Sequence, residues 1–385
     1  MLRQPSIRPV LSLPHRMQAD TSAKGRGITI AMIDSDFVQH PDICSPEQRV
    51  VQYVDAVEQT THPELPSQAI ARHWHGTMTA CTAAGNGFMS HGQYSSLAPL
   101  ARLVAIRTMN HDGRITTPTI VWALRWIEQH VDELHIDVVN ISVYADETDQ
   151  TLQHPVNAAV EDLVRRGIVV VAAAGNNPNA PIRPPAAAPS AITVGGLNDN
   201  NTLDRADDIM YHSSFGRTSL NVQKPEIIAP SIWLPAPVLP GTIGAQQAAT
   251  LCALDCMDDH QLMNQGLAIA REVGLLPEAD APTDLYSLRG IISDAIREHV
   301  LINPWYKMVD GTSFAAPIVT SVIAQMLEVA PYLTPFDVKD ILMATAKQLV
   351  GVDGQCQGAG VVNQPTALSM ARGYSKSAKS AVERI

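Results

Sequence analysis

The sequence lacks the long apolar stretches and the excess of basic residues that membrane and nucleic-acid proteins need. Its longest apolar run, Ile168 to Ala174, has the length of one strand, far below the roughly 18–20 residues that span a bilayer. Lys and Arg number 27 against 38 Asp and Glu, which gives a net charge of −11. Binding to phosphate backbones or anionic lipid relies on basic side chains, so we expect neither nucleic acid nor membrane as a partner.

Cysteine is also scarce. The five cysteines, Cys44, Cys81, Cys252, Cys256 and Cys356, are odd in number and irregularly spaced, so a disulfide framework is not expected and a reducing compartment fits better. The first 18 residues carry an apolar patch of about four residues, whereas a secretory signal needs roughly 7–15. The sequence therefore predicts a cytoplasmic protein, or a secreted one from which a signal has been removed.

Short apolar runs alternate with segments of helical spacing along most of the chain. This pattern is typical of crossover units, and it predicts an α/β fold with a mainly parallel sheet covered by helices on both faces. The strand-like runs are almost entirely apolar, as expected for strands buried on both sides. They are Ile28–Ile33, Leu103–Ile106, Val138–Ile141, Ile168–Ala173, Ala191–Val194 and Ile227–Ala229.

The alternation stops after Pro230. Residues 231–241 are rich in proline and predict irregular structure, and residues 244–274 and 283–301 then predict helices with no strand between them. We interpret about 236–306 as a helical insertion. The predicted organisation is an N-terminal extension at 1–24, a main domain at 25–372 that the insertion interrupts, and a polar tail at 373–385.

Three polar residues stand at the ends of apolar elements. Asp34 ends a strand, His75 opens a small-residue helix, and Ser313 opens another helix in DGTSFAAP. In open parallel sheets such positions meet outside the carboxyl ends of the strands. A serine nucleophile needs a base such as His75, which in turn needs a carboxylate to orient it. Asn176 ends a further strand on the same side, where its amide would donate to an oxyanion beside the Ser313 N–H.

Each residue taken alone has a plainer interpretation. Asp34 is a candidate cap or turn former, His75 a structural histidine, Ser313 part of an N-cap sequence, and Asn176 a turn residue after glycine. The four together, in this order, are far less ordinary.

The ordered motifs resemble the subtilisin-like serine proteases, the subtilase family. GRGITIAMIDSDFVQHPDI is similar to the family's Asp motif, HGTMTACTAAG to its His motif, VVVAAAGNN to its oxyanion motif and DGTSFAAPIVT to its Ser motif. The resemblance covers roughly 25–372 apart from the insertion. It implies a three-layer subtilisin-like fold, a peptidase domain, a triad of Asp34, His75 and Ser313, and Asn176 as an oxyanion donor. It also implies calcium sites, although no residue is assigned to one.

The same resemblance assigns substrate binding to the residues that follow two strands: Ser142, Val143, Tyr144, Ala145, Gly175 and Arg183. At Tyr144 and Ala145 the family usually has small glycines, so Tyr144 either narrows the specificity pocket or turns outward. Arg183 either selects an acidic substrate side chain as a buried guanidinium or is an exposed loop residue.

Two other features leave alternatives open. Asp36 stands where the family has glycine, and it is either a second carboxylate near His75 or a solvated turn residue. Cys252, Cys256 and His260 lie four residues apart on a predicted helix, which suits either zinc ligands or simple helix packing. We expect packing, and assign no metal.

Three functions are compatible with these observations. The first is an active serine endopeptidase that binds an extended peptide near Ser142–Ala145. The second is a catalytically silent binding or scaffold protein that keeps the fold, against which the complete Asp, His, Asn and Ser set argues. The third is a narrow, intracellular processing protease whose insertion at 236–306 is a lid or the docking surface of a regulatory partner; the alternative for the insertion is a purely structural subdomain.

Overall fold

The computed structural model of the chain describes residues 9–70, 73–276 and 284–382, the last eight of these through their backbone alone. Its centre is a nine-stranded sheet in the order β11-β7-β6-β5-β1-β4-β2-β3, with β8 paired to β7. Its strands are β1 Thr29–Asp34, β2 Val50–Asp55, β3 Thr60–His62, β4 Arg102–Arg107, β5 Ile136–Ile141, β6 Val169–Ala173, β7 Ile192–Asn198, β8 Ile209–Met210 and β11 Ile227–Pro230.

The sheet is parallel except at the pairings β2–β3 and β7–β8. Alternate side chains of its strands enter two separate cores: Ile30 and Met32 of β1 pack on one face, Ala31 and Ile33 on the other. Because both sets are apolar and fully buried, the sheet needs helices on both faces. The predicted α/β fold with a mainly parallel, doubly covered sheet is confirmed.

Helices complete the two outer layers. The described helices are α1 Leu13–Arg16, α2 Pro41–Cys44, α3 Trp74–Ala84, α4 Thr117–Leu134, α5 Pro155–Arg165, α6 Ile243–Cys256, α7 Asp259–Gln261, α8 Leu267–Glu272, α9 Leu285–Glu298, α10 Thr312–Val329, α11 Pro335–Thr345, α12 Gly354–Gln357 and α13 Gln364–Val382. Helices α3 and α10 pack on one face of the sheet, and α4 and α5 pack on the other.

Helix α10 lies at the centre of the larger core. Among the described helices it is the one whose length and mean hydropathy, 1.3 over 18 residues, reach the level of a membrane span, and 83% of that window is buried. Its apolar side chains contact the strands and α3 instead of an outer surface. The hydropathy of this segment therefore reflects its place as a core helix, a common source of such a signal.

The proline-rich segment 231–241 is more regular than we predicted. Leu234–Pro237 forms β12, which pairs with β14 (Tyr306–Val309) and, through it, with β13 (Leu301–Asn303) in a small antiparallel sheet. Proline, which has no backbone N–H, is tolerated in β12 because β12 is an edge strand that pairs on one side only. The short β9 Gly216–Arg217 and β10 Gln223–Lys224 pair separately.

The prediction of one long helix at 244–274 is wrong in detail, because helix α6 ends at Cys256. The side chain of Asp258 accepts a hydrogen bond from the Gln261 N–H at 2.8 Å and starts α7. A π-helical turn at Leu262–Gly266 then leads into α8. The second predicted helix, 283–301, is α9 followed by strand β13; residue 283 lies outside the described residues.

The helices of this segment share a core of their own, to which Leu251, Leu254, Leu288 and Ile292 belong. In β13, Leu301 joins that core while Ile302 packs with Tyr306 and Val10 of the N-terminal segment. This alternation with period two explains why the end of the predicted helix is a strand.

The N-terminal segment packs against the domain through Arg16. Arg16 is completely buried and forms an ion pair with Asp199 at 2.9 Å, and its guanidinium donates to the carbonyls of Ile232 and Trp233. Residues 1–8 of the predicted extension and 383–385 of the predicted tail lie outside the described residues. The rest of that polar tail, to Val382, continues helix α13.

Candidate active site

Three elements bring their ends together at the carboxyl edge of the central strands. Strand β1 ends at Asp34, helix α3 begins one residue before His75, and helix α10 begins one residue before Ser313. His75 and Ser313 both line one open cavity of about 730 Å³. Positions that are 41 and 238 residues apart thus meet because parallel strands deliver their following elements to the same edge.

Asp34 is held by three donors. Its Oδ1 accepts hydrogen bonds from His75 Nδ1 and from the Ser35 N–H, both at 2.6 Å. Its Oδ2 accepts from Thr79 Oγ1 at 2.7 Å. Because the carboxylate is fully buried and bonded through both oxygens, its orientation toward His75 is fixed.

The carboxylate also determines the chemistry of the imidazole. Burial by itself works to lower the pKa of His75, but the charge of Asp34 and its hydrogen bond outweigh burial and raise the pKa above its ordinary value of 6.5. With Nδ1–H donating to Asp34, the lone pair is on Nε2. A neutral imidazole in this tautomer is a proton acceptor next to the cavity.

Gly76 permits this close approach of α3 to β1. A Cβ at this position would lie 2.3 Å from the Asp36 carbonyl oxygen and 3.1 Å from Asp34 Cβ. Any other residue would therefore push the helix away from the strand and lengthen the His75–Asp34 hydrogen bond.

Ser313 is half-buried at the first turn of α10, and Ser142 contacts it twice. Ser313 Oγ lies 3.5 Å from the Ser142 carbonyl oxygen, and Ser142 Oγ donates to the Ser313 carbonyl at 2.9 Å. Ser142 Oγ in turn accepts from Asn140 Nδ2 at 3.0 Å. This chain of bonds fixes the start of α10 against the end of β5.

Asn176 is oriented by the residue next to Ser313. Its Oδ1 accepts from both the N–H and the hydroxyl of Thr312, at 2.9 and 3.0 Å. The amide nitrogen therefore points away from Thr312. Gly311 has a φ of +126°, and a Cβ there would lie 3.3 Å from that nitrogen, so glycine both fits the backbone and leaves space around the donor.

The segment 142–145, to which the sequence analysis assigns substrate binding, follows β5 outside any helix or strand. The Ala145 N–H donates to the Pro184 carbonyl at 2.8 Å, which ties this segment to the loop that carries Arg183. Within the described part of the chain, no backbone hydrogen bond occupies the amide and carbonyl groups of Val143 or Tyr144. These groups are free to pair with an extended peptide.

A second cavity of about 210 Å³ adjoins the first. Gly175, Asn176 and Tyr144 form part of its wall, and Arg183 lines both cavities. Tyr144 is 57% exposed, and the Arg183 guanidinium carbon lies 5.2 Å from the centre of its ring. Tyr144 therefore stands at the rim, and Arg183 is half-buried, between the two states considered from the sequence.

Several residues of the larger cavity were missed from the sequence. Trp74 precedes His75, and a loop closed by the bridge between Met109 and Ile115 contributes one wall with Arg114. The turn sequence NHDG, which begins three residues after the end of β4, is a signal for this loop. The anchoring roles of Thr79 and Thr312 were also missed, although Thr79 lies one helical turn from His75.

Asp36 is not a solvated turn residue, because it is buried. Its carboxylate lies 3.4 Å from His73 Nε2 and from Arg107 Nε, and the carboxylate that raises the pKa of His75 is that of Asp34. Tyr53 OH donates to its other oxygen at 3.0 Å. Burial works to raise the pKa of Asp36, but the hydrogen bonds and charge of His73, with Arg107, lower it.

The zinc alternative at Cys252, Cys256 and His260 loses its premise. Helix α6 ends at Cys256 and His260 belongs to α7, where its ring contacts Asn264. Burial raises the pKa of the Cys252 thiol to about 11. The expectation of simple helix packing fits these contacts.

One other cluster in the described part of the chain has the composition of a metal site: His40, Asp42 and Cys81, whose ligand atoms lie within 4.8 Å of one another. It does not fit calcium, which prefers six to eight oxygen ligands. Both Asp42 oxygens already accept hydrogen bonds, from the Met89 N–H at 3.0 Å and from Tyr306 OH at 2.6 Å. The cluster is a buried polar contact between α2, α3 and β14.

Comparison with known proteins identifies the family of the chain. A model of the subtilase family matches residues 25–364. Serine protease AprX from Bacillus subtilis (strain 168) is 29% identical over 350 residues, which are 88% of this chain and 65% of that protein. Subtilisin BL from Lederbergia lenta is 30% identical over 178 residues, 46% of this chain and 58% of that protein. The chain spans less than two thirds of the length of each.

Solved structures share the fold at low sequence identity. Fervidolysin from Fervidobacterium pennivorans, described as a keratinolytic enzyme related to subtilisin, superposes with a TM-score of 0.60 at 21% identity, covering 90% of this chain and 43% of its own. A protease from Pseudoalteromonas arctica superposes with a TM-score of 0.60 at 18% identity, covering 94% of both chains. These likenesses concern the fold.

Proposed function

Because this chain belongs to the subtilase family of serine-type peptidases, we propose that it is an endopeptidase with Ser313 as nucleophile and His75 as general base. Ser313 Oγ attacks a peptide carbonyl while His75 Nε2 takes its proton. The imidazolium returns that proton to the leaving amine, and water then hydrolyses the acyl-enzyme by the same route. Asp34 holds the required tautomer and stabilises the imidazolium.

One observation carries this proposal: the 2.6 Å hydrogen bond between buried Asp34 and His75, in a cavity whose wall also contains Ser313. A histidine placed only for packing has no need of a buried carboxylate that raises its pKa. In a scaffold protein without activity, neither the Asp34–His75 hydrogen bond nor the hydrogen bonds that orient Asn176 would serve a function. Labelling by a fluorophosphonate probe tests the proposal directly, since the probe reacts with an activated serine and leaves a silent fold unlabelled.

We expect Asn176→Ala to lower kcat by about 10²–10³ with little change in KM, because an oxyanion donor acts in the transition state more than in the ground state. Steady-state kinetics on a peptide substrate measure both constants. Asn179→Ala is the matched control, since Asn179 is exposed in the same loop and should keep wild-type kinetics. A variant whose KM rises while kcat stays unchanged would refute the oxyanion role.

The proposed substrate is an extended peptide that pairs with Val143 and Tyr144 through the unoccupied backbone groups of this segment. The finer proposal is a narrow, intracellular processing role. Two features support it: Tyr144 at the rim of the smaller cavity, and five thiols, all unpaired, which favour a reducing compartment. Calcium binding stays a prediction of the family resemblance.

Deleting most of the insertion tests whether it regulates the activity. Of the described residues 236–276 and 284–306, none lines either cavity, and the helices bury their apolar faces against one another. We therefore expect that replacing residues 242–299 by a short Gly/Ser linker, with β12, β13 and β14 kept, leaves hydrolysis of a small peptide ester unchanged within about twofold.

The same deletion variant separates the remaining roles through a second measurement, cleavage of folded protein substrates. A lid would make the variant faster or broader in protein cleavage. A docking surface for a substrate or a regulatory partner would leave ester turnover intact and reduce cleavage of the native substrate. Unchanged handling of both substrates would leave the insertion with a purely structural role.

A further inference from the structure

We infer that the smaller cavity binds an acidic side chain, and that Arg183 makes the enzyme selective for Asp or Glu on the acyl side of the cleaved bond. The inference deepens the proposed peptidase function and rests on it. Its starting point is that Arg183 lies where the two cavities meet.

The cavity lies where the side chain of the acyl-side residue must go. That side chain is attached one carbon away from the carbonyl that Ser313 attacks. Asn176, the proposed donor to the carbonyl oxygen, and Gly175 are both in the wall of this cavity. Its volume of about 210 Å³ suits a side chain and falls below the roughly 300 Å³ at which small-molecule pockets begin.

Arg183 is the charged group of this cavity. Of the described residues that line it, only Arg183 carries a charge. Within the described part of the chain, no carboxylate or carbonyl oxygen accepts a hydrogen bond from its guanidinium, which faces the ring of Tyr144 at 5.2 Å. Other arginines with little exposure have acceptors: Arg16 pairs with Asp199, and Arg107 with Asp55.

A half-buried guanidinium with no protein acceptor among the described residues, placed beside a cavity, is a strong binding group for a carboxylate. It offers a planar set of donors that bind both carboxylate oxygens, and such charge-assisted bonds are stronger than neutral ones. Tyr144 holds the guanidinium at the rim by a cation–π contact. The Arg183 carbonyl accepts from the Ala187 N–H at 3.2 Å, which fixes the backbone of this loop.

Nearby acidic residues do not cancel this attraction. Asp146 lines the larger cavity but not the smaller one, and its Oδ1 accepts hydrogen bonds from the N–H and hydroxyl of Thr117. Glu147 lies 3.4 Å from His154. At the larger cavity Asp146 therefore offsets part of the positive charge of Arg114 and Arg183, whereas at the smaller cavity no lining carboxylate opposes Arg183.

The test uses pairs of peptides that differ only in Glu or Gln at the acyl-side position, because the two side chains have the same shape. We expect wild-type kcat/KM to be about 10- to 100-fold higher for Glu, and this ratio to shrink at high salt. Arg183→Gln should bring the ratio close to one. Arg183→Glu should invert the charge preference, favouring Lys over Glu at the same position.

Arg114→Gln is the control for a general electrostatic effect, since Arg114 lines only the larger cavity. It should leave the Glu/Gln ratio within about threefold, whatever it does to overall rates. An equal loss of the ratio in both variants would refute a specific role of Arg183. A wild-type preference for large apolar side chains that persists in Arg183→Gln would overturn the inference.

A binding measurement separates this inference from the proposed activity. In Ser313→Ala, calorimetry with acetylated peptide amides that end in Glu or Gln should give a dissociation constant about tenfold lower for Glu, and no difference in Ser313→Ala/Arg183→Gln. If the wild type hydrolyses no peptide but this difference is present, the peptidase proposal fails and the acidic subsite stands. Equal binding of the two peptides by Ser313→Ala refutes the subsite. Thermal unfolding curves that coincide with the parent exclude misfolding of the double variant.

Discussion

Ser313→Ala is expected to abolish peptide hydrolysis, with a loss in kcat of about 10⁶, the size found when a triad of this kind loses its nucleophile. The remaining activity would come from binding and the oxyanion donors alone. Ser313 is half-buried, and the hydrogen-bonding contact of its hydroxyl within the described part of the chain, with the Ser142 carbonyl, is 3.5 Å long. We therefore expect the melting temperature to change by no more than a few degrees.

The measurement is hydrolysis of a chromogenic peptide combined with fluorophosphonate labelling of purified protein. Ser369→Ala is the matched control, because it makes the same chemical change at an exposed position of helix α13 and should keep both labelling and turnover. Substantial activity of a pure Ser313→Ala sample would refute Ser313 as nucleophile. Loss of labelling together with loss of the folded state would point to a structural effect, which the unfolding curve detects.

Asp34→Asn should lower kcat by about 10⁴ while keeping the fold. An amide at this site either donates its N–H₂ to His75 Nδ1, which places the proton on Nε2 and removes the base, or accepts from Nδ1 without the negative charge that stabilises the imidazolium. In the second arrangement the amide oxygen still accepts from the Ser35 N–H and the Thr79 hydroxyl can accept from the amide N–H₂, whereas the first arrangement leaves the Ser35 N–H facing a donor.

The pH dependence of kcat/KM also tests the role of Asp34, and the direction of the expected shift follows from the pKa of His75. The reaction needs neutral His75, so kcat/KM rises as the pH increases through the pKa of His75 in the free enzyme. Burial opposes the cation, but Asp34 outweighs it and raises this pKa above 6.5, so the wild-type acid limb should lie above that value. In Asp34→Asn the negative charge that raises the pKa of His75 is gone, while the burial that lowers this pKa remains. The acid limb of the residual activity should therefore lie at lower pH than in the wild type.

Asp340→Asn, an exposed change on helix α11, is the control for the loss of one negative charge and should keep the wild-type profile. An Asp34→Asn enzyme with nearly full activity would refute the orienting role of the carboxylate. An acid limb that does not move would show that another group titrates in the wild type.

The insertion shows which structural elements a local sequence pattern predicts and which it does not. Its apolar residues predicted helices, and helices form there, because helical spacing is a property of neighbours in sequence. The break after Cys256 had a local signal in the capping residue Asp258, which was outweighed by the helical spacing of the apolar residues on both sides of it. Strands β12 and β13 had no local sequence signal of comparable strength, since each forms only because β14 lies beside it.

Asp36 and Arg183 show the limit for individual side chains. The sequence shows that both carry charge near the motifs, but a charge acquires its role from its partners. For Asp36 these are His73, Arg107 and Tyr53, which come from three separate segments. For Arg183 the decisive fact is the lack of an acceptor among the described residues at the junction of two cavities.

The sequence by itself determined six of the nine strands of the sheet, the family and the identity of the four motif residues. Alternating apolar strands and small-residue helices are encoded within a few residues, and Asp34, His75, Asn176 and Ser313 each stand in a short recognisable motif at the end of such an element. Only the tertiary structure decided which atoms those residues present to one another, how Thr79, Thr312 and Ser142 hold them, and which charged groups face the cleft. Hydrogen bonds and burial depend on distances of a few ångströms between residues that are tens to hundreds of positions apart, and that information exists only once the chain has folded.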